Sequence, residues 1–449
     1  MEKLERAIDE AKRDRARPAV SAVLADGSLV ETVYQPEEHR TLFSVAKDGD
    51  ARFETDVVVN GERLVPYSPN NNLLRNEVVL LPSEPEEYGS EEQLVAEVQG
   101  FVHRYVDVSP LFERVASYYV LLSWVYDSFN ELPYLRLRGD PGSGKTRFLL
   151  TVGSLCYKPI FASGASSVSP LFRILDTFRG TLIIDEGDFR FSDERAEIVK
   201  ILNNGNARGF SVLRSEVSPN RREFNPTAYA VFGPKLVATR GFFQDGALES
   251  RCLTEEMGRF RMRDDIPISL PSGYKDEALH LRNKLLLFRF RNHGKRSAAE
   301  ALVDRTIEPR LNQIFVPLLS IIEDRKARED LRDLARRYNR ELITDRGLDM
   351  EAQVLEVIRD LQASEQGKLS VKEIASWFAD RYQDDYDRKV TPKWIGTVIR
   401  RKLHLRTERS RDGFAIPRSE GPGIERLMEK YGVTNGEAGE HGGPTATVA

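Results

Sequence analysis

The chain is poor in the residues that build disulfide and metal scaffolds. Among 449 residues there are two cysteines, Cys156 and Cys252, and six histidines. Two thiols exclude a disulfide framework and a zinc cluster and make a reducing cytoplasm the expected compartment. His39, His103, His280, His293, His404 and His441 are scattered, without the spacing of a metal-binding pair. Long apolar runs are missing too. The longest, "VASYYVLLSWVY" at 115–126, is too short to cross a bilayer and reads as a buried helix, so no membrane partner is expected. Met1 begins a charged stretch, "MEKLERAIDEAKRDRAR", which does not have the form of a signal peptide. A net charge of −4 gives nucleic acid no general attraction, so any such role must rest on a local cluster. The remainder, 40% hydrophobic and 30% charged, is enough for about two to four ordinary globular domains.

One short stretch carries a specific chemistry. In "LRLRGDPGSGKTRFLL" (135–150) an apolar run is followed by a glycine-rich turn and then by Lys145-Thr146 opening an apolar helix. Glycines let successive backbone N–H groups point inward, and the helix that follows adds the positive end of its dipole. The spacing G-x-x-x-x-G-K-T from Gly139 to Thr146 is that of a P-loop, so Gly139, Asp140, Pro141, Gly142, Ser143, Gly144, Lys145 and Thr146 are candidate phosphate ligands. Downstream, "GTLIIDEGDF" (180–189) reads as a strand buried in a parallel sheet that ends in Asp185 and Glu186. Acids there would lie at the sheet edge where α/β proteins bind ligands. Asp185 would hold Mg²⁺ beside the Thr146 hydroxyl, and Glu186 would polarise the attacking water. The pattern is that of an NTP-hydrolysing site.

Around this site the chain divides by pattern. Residues 1–82 read as a small β-rich accessory domain, with hairpin signals at Asp26-Gly27 and Asn60-Gly61. An acidic linker, "LPSEPEEYGSEEQ" (81–93), leads to a nucleotide-binding core over 92–270. Helices are expected at 92–106 and 110–129, then strands and helices in alternation, which argues a parallel sheet. Within the core, 209–216 and 223–233 flank a polar tip, "VSPNRR" (217–222), as a β-hairpin. "PKLVATR" (234–240) is a strand ending in polar Thr239 on the edge that also carries Asp185. Residues 271–345 suit an all-α lid.

These features resemble the AAA+ ATPases, and within them the helicase-like ATPases of phage and plasmid replication, akin to superfamily 3 and MCM helicases. The resemblance covers about 92–345 and rests on Gly139–Thr146, Leu182–Glu186, "KLVAT" and "DGALESRC" (245–252). It implies an α/β P-loop AAA+ fold with an α-helical lid, and ATP with Mg²⁺ as ligands. It further implies Thr239 as the polar residue orienting water, in place of the more usual Asn, and Arg251 as an arginine finger acting on a neighbouring subunit. Arg310 in "EPRLNQIF" is the first choice for the lid arginine near the nucleotide, with Arg282 as its rival. The hairpin corresponds to one that lines the pore of such rings, and Arg214, Arg221 and Arg222 supply the charge that DNA phosphates require.

A second cluster lies near the end of the chain. Arg388–Arg411 holds nine Lys or Arg and one acid, Glu408. An amphipathic helix (370–382), a basic helix (391–403) and two strands turning at Asp412-Gly413 resemble a winged-helix DNA-binding domain over 350–430. Lys393, Thr397, Arg400 and Arg401 on the basic helix suit a phosphate-lined groove. The tail 431–449 is Gly-rich, apolar-poor and expected to be disordered. Taken together, the expectation is a hexameric, ATP-driven DNA helicase or translocase serving replication of a mobile element, with other replication proteins as partners. The alternatives are an ATP-dependent loader or initiator, and an ATP-sensing DNA-binding regulator.

Overall fold

The computed structural model describes residues 16–433, apart from 48, 164–165, 167, 186–192, 216–225, 244, 259–261, 348–349, 365–368, 384–385, 387–388 and 411–412. The chain forms two units, Met1–Ala335 and Arg336–Ala449.

The first unit opens with seven strands: β1 (Arg17–Ala19), β2 (Ser21–Val23), β3 (Leu29–Gln35), β4 (Arg40–Lys47), β5 (Asp50–Glu54), β6 (Val57–Val59) and β7 (Glu62–Pro66). β2 to β5 form an antiparallel meander, and β7 lies between β1 and β6. Gly27 sits at φ +85°, and Asn60 and Gly61 are both left-handed, which tight β-turns of this kind require. This β-rich segment shares its interior with the rest of the unit. Buried Glu31 on β3 accepts hydrogen bonds from Tyr157 Oη at 2.7 Å and Arg289 Nε at 2.7 Å, and pairs with Lys158 Nζ at 2.8 Å. Arg289 also reaches Asp127 at 2.7 Å. Burial pushes the Glu31 carboxyl up, but the Lys158 and Arg289 charges outweigh it and hold it below the ordinary value.

After α1 (Asn72–Arg75), the acidic stretch read as a linker is pinned in place. Ser83 N donates to Asn283 Oδ1 at 2.9 Å, and Glu87 receives Arg291 at 2.6 and 2.8 Å. The distant chain that holds it has no local trace in sequence. α2 (Glu91–Tyr105) starts on a capping box, in which Ser90 Oγ accepts from Gln93 N and the Gln93 side chain accepts from Ser90 N. α3 (Pro110–Trp124) follows Ser109 as N-cap and is buried from Phe112 to Trp124 except at Arg114.

The parallel sheet then builds in chain order from β8 (Tyr134–Arg138), α4 (Lys145–Leu155), β9 (Ile160–Ser163), α5 (Val168–Phe178), β10 (Leu182–Asp185) and α6 (Asp193–Asn204). The hairpin of β11 (Ser211–Arg214) and β12 (Thr227–Ala230) interrupts it before β13 (Lys235–Thr239), α7 (Gly246–Glu249) and β14 (Cys252–Glu256). Strand order is β14-β8-β13-β10-β9, all neighbours parallel. β13 is fully buried because it is paired on both sides and covered on both faces. Helices α8 (Tyr274–Asn292) and α9 (Pro309–Ile321) complete the unit, and α10 (Arg325–Gly347) runs through its last residues.

In the second unit, α11 (Met350–Ala363), α12 (Val371–Tyr382), α13 (Pro392–Arg401) and α14 (Gly421–Tyr431) enclose an apolar core. A three-stranded antiparallel sheet, β15 (Leu369–Ser370), β16 (Glu408–Ser410) and β17 (Gly413–Ile416), completes it with β17 central.

Candidate functional site

Parallel strands bring their carboxyl ends to one edge, so residues far apart in sequence converge there. Gly139 follows β8, Thr239 ends β13 and Asp185 ends β10. Register places Thr239 beside Arg138, and β13 stands between the P-loop strand and the acid strand. These ends open into a cleft of about 630 Å³, lined by Pro141–Arg147, Asp185, Thr239 and Arg240 on the sheet side. Tyr105–Asp107, Met257, Gly258, Met262 and Ile266 close its other walls. Its size is within the range of small-molecule sites, roughly 300–1,000 Å³.

The loop conformation follows from its glycines. Gly142 and Gly144 are left-handed, at φ +81° and +92°, and Gly144 caps α4. Gly139 is required by a close approach: a Cβ there would lie 2.5 Å from the Met257 carbonyl oxygen, because the chain leaving β14 crosses the loop. Lys145 Nζ folds back and donates to the carbonyls of Gly139 and Asp140 at 2.6 Å each. Thr146 Oγ1 donates to Asp185 Oδ2 at 2.6 Å, joining the helix start to the acid strand. Thr239, although it lines the cleft, donates its hydroxyl to the Gly241 carbonyl at 3.0 Å. A hydroxyl and a carboxylate in contact are a hard-oxygen pair suited to Mg²⁺, and a lysine over a ring of backbone amides at a helix N-terminus suits phosphate.

No protein-family model matches the chain, and no curated protein matches it. Among solved structures it is similar to the NrS-1 C-terminal region, at 10% identity over 86% of this chain and 96% of that one, with a TM-score of 0.35. It is also similar to an MCM homologue from Methanopyrus kandleri, at 11% identity over 72% and 75% of the two chains, with a TM-score of 0.36. JCV helicase matches at 14% identity over 56% and 62%, with a TM-score of 0.24. With every score this low, the functional reading rests on the residues of the cleft.

Arg251 and Arg310 lie elsewhere, and together. Arg251 immediately precedes β14, whose first residue pairs with Tyr134 at the amino end of β8, opposite the edge that carries Gly139. Its guanidinium contacts Asn203 of α6, and its pKa is pushed down from the ordinary value, first by burial and then by the Arg310 charge. The Nε atoms of both arginines are buried without a hydrogen-bond partner. Arg310, expected as the lid arginine near the nucleotide, is not among the residues lining this chain's cleft; the start of α9 carries it to Arg251. Its rival Arg282 is buried and donates to the Ser154 carbonyl at 2.9 Å. Two residues before Arg251, the Glu249 carboxylate receives the buried Arg136 of β8 at 2.6 Å.

Arg214 pairs with Glu197 of α6 and lies 4.9 Å from the centroid of the Phe172 ring on α5. It fastens the hairpin to the two helices. Glu186, Arg221 and Arg222 lie outside the described residues. On α13, Ile395, Val398 and Ile399 face the core, while Lys393, Arg400 and Arg401 are exposed. Thr397 spends its hydroxyl on the Lys393 carbonyl at 2.9 Å, and Arg400 donates to Thr407 Oγ1 at 3.3 Å.

Sequence reasoning missed Arg240, Asp107 and Arg147. Arg240 was legible in principle, since it directly follows Thr239 at the end of a sheet strand. Asp107 comes from a loop after α2 that only tertiary packing brings to the cleft.

Proposed function

We propose that the chain is a Mg²⁺-dependent ATPase that drives DNA unwinding or translocation as a hexameric ring of like subunits. The observation that carries the reading is the contact of the P-loop residue Thr146 with Asp185, with Lys145 on the loop beside it. Lys145 would exchange its loop carbonyls for phosphate oxygens, and the amides before α4 would hold those oxygens. Thr146 and Asp185 would hold Mg²⁺, which neutralises phosphate charge when bound. Glu186, next after Asp185, would take the proton of the attacking water, and Thr239 would orient that water. Arg251, on the sheet end remote from its own P-loop, would serve a neighbouring copy's site, with Arg310 beside it.

The second unit supports DNA binding. Two helices, α12 and α13, with the β16–β17 strands after them would serve as a winged helix, and the exposed cations of α13 would meet phosphates. A supporting role in replication of a mobile element, with cytoplasmic location and further replication proteins as partners, belongs to the same reading. The test is ATP hydrolysis with and without single-stranded DNA, beside strand displacement on forked DNA. Lys145→Ala is expected to abolish nucleotide binding, and Glu186→Gln to retain ATP without hydrolysing it. Hydrolysis at the parent rate by Glu186→Gln would show that another group activates the water. ATP binding and assembly on DNA without strand displacement would favour the loader.

A further inference from the structure

Lys235 is a lysine in the wrong place for a merely structural residue. It opens β13 and is fully buried, where a methionine would fill the same space without the cost of burying a charge. Burial pushes its ammonium down to about 7, and no carboxylate opposes the shift. Its partners are three backbone carbonyls: Gly205 at 3.1 Å, Val231 at 3.0 Å and Gly233 at 2.9 Å. An ammonium has three N–H donors, so the group is matched one to one.

Those carbonyls are not a random set. Gly205 directly follows α6, in the segment that leads to β11, and Val231 with Gly233 form the return from β12 to β13. The ammonium thus joins the end of α6 and the return of the hairpin to the first residue of β13. Gly233 N, donating to the Gly205 carbonyl at 3.1 Å, closes the same junction. Gly205 must be glycine here, because a Cβ would collide with Lys235 Nζ. At its other end β13 carries Thr239 into the nucleotide cleft. The five residues of β13, paired on both sides, run directly from this junction to the cleft.

We propose that Lys235 is the positioning residue through which a shift of β13 at the nucleotide cleft reaches the base of the hairpin. This rests on the reading of the cleft as a nucleotide site. The test is amide hydrogen exchange of the full chain with and without Mg-ATP, for the parent, Lys235→Met and Lys235→Gln. In the parent, ATP is expected to change exchange at 227–233 at least fivefold. Both variants should bind ATP within twofold of the parent and keep its exchange response at 136–146, yet lose the response at 227–233. Should Lys235→Met fail to fold, Lys235→Gln carries the test, since its shorter side chain has two amide donors and cannot span all three carbonyls. A hairpin response equal to the parent's in a folded variant overturns the linkage, as does a parent that binds ATP with no hairpin response. A parent that binds ATP and moves the hairpin but never hydrolyses it leaves the linkage standing and removes the ATPase reading.

Discussion

Glu31→Gln puts a number on how far the N-terminal strands belong to the body of the first unit. The substitution leaves Lys158 and Arg289 buried without the carboxylate that both contact. Removing one partner of a buried ion pair costs about 3–5 kcal/mol, because the remaining charges stay desolvated. Unfolding entropy is about 2.1 cal/mol/K per residue. Over a unit of 335 residues that is about 0.7 kcal/mol/K, so the melting temperature should fall by about 4–7 °C. The sign with pH is defined. The Glu31 pKa is lowered in the fold, so its stabilisation is present above the ordinary carboxylate value and is lost as pH falls through the folded one. The gap between parent and variant should therefore close in acid. Differential scanning calorimetry at neutral pH measures the effect, and Lys158→Met added to Glu31→Gln should recover at least about 1 kcal/mol. A fall below about 1 °C, or no recovery in the double variant, would refute the reasoning.

Three further outcomes are expected. Arg251→Ala should bind ATP normally yet lose hydrolysis, and mixing it with Lys145→Ala subunits should restore part of the activity; no recovery in co-assembled mixtures excludes action in trans. Replacing Lys393, Arg400 and Arg401 by Ala should weaken duplex binding and lower the slope of log K against log salt by about one for each cation that meets a phosphate. An unchanged slope in a salt titration removes α13 from the interface. The Lys235 pKa is lowered to about 7 in the fold, so the cost of burying its charge is full below that pH and fades as pH rises toward the ordinary lysine value. Urea unfolding of the parent and Lys235→Met should show the parent gaining on the variant between about pH 7 and 10; parallel profiles would mean that the amine titrates normally.

What the sequence could determine is local. Gly139 to Thr146 is contiguous, its shape depends on glycine φ, and the helix after it begins at Lys145, so the glycine-rich loop was readable from spacing alone. Asp185 and Thr239 were readable because each ends an apolar strand, and parallel strands deliver such ends to one edge. The turns at Asp26-Gly27 and Asn60-Gly61 were legible for the same reason, since the conformation belongs to two residues and no others. The hydrophobic side of α13 likewise follows from Ile395, Val398 and Ile399 at helical spacing.

Tertiary structure decided which charge meets which. Arg214, Arg251, Arg289 and Arg310 are the same residue type in sequence, and nothing nearby distinguishes them. Packing gives Arg214 to Glu197, sets Arg310 beside Arg251 and buries Arg289 between Glu31 and Asp127. It also turned the expected linker into a bound segment through Asn283, 200 residues away from Ser83. Lys235 reads as the polar start of a strand and becomes a buried tie only because α6 and the hairpin return end around it. A side chain's intrinsic chemistry is local, but its desolvation and its partners are set by the elements that close over it, and those come from every part of the chain.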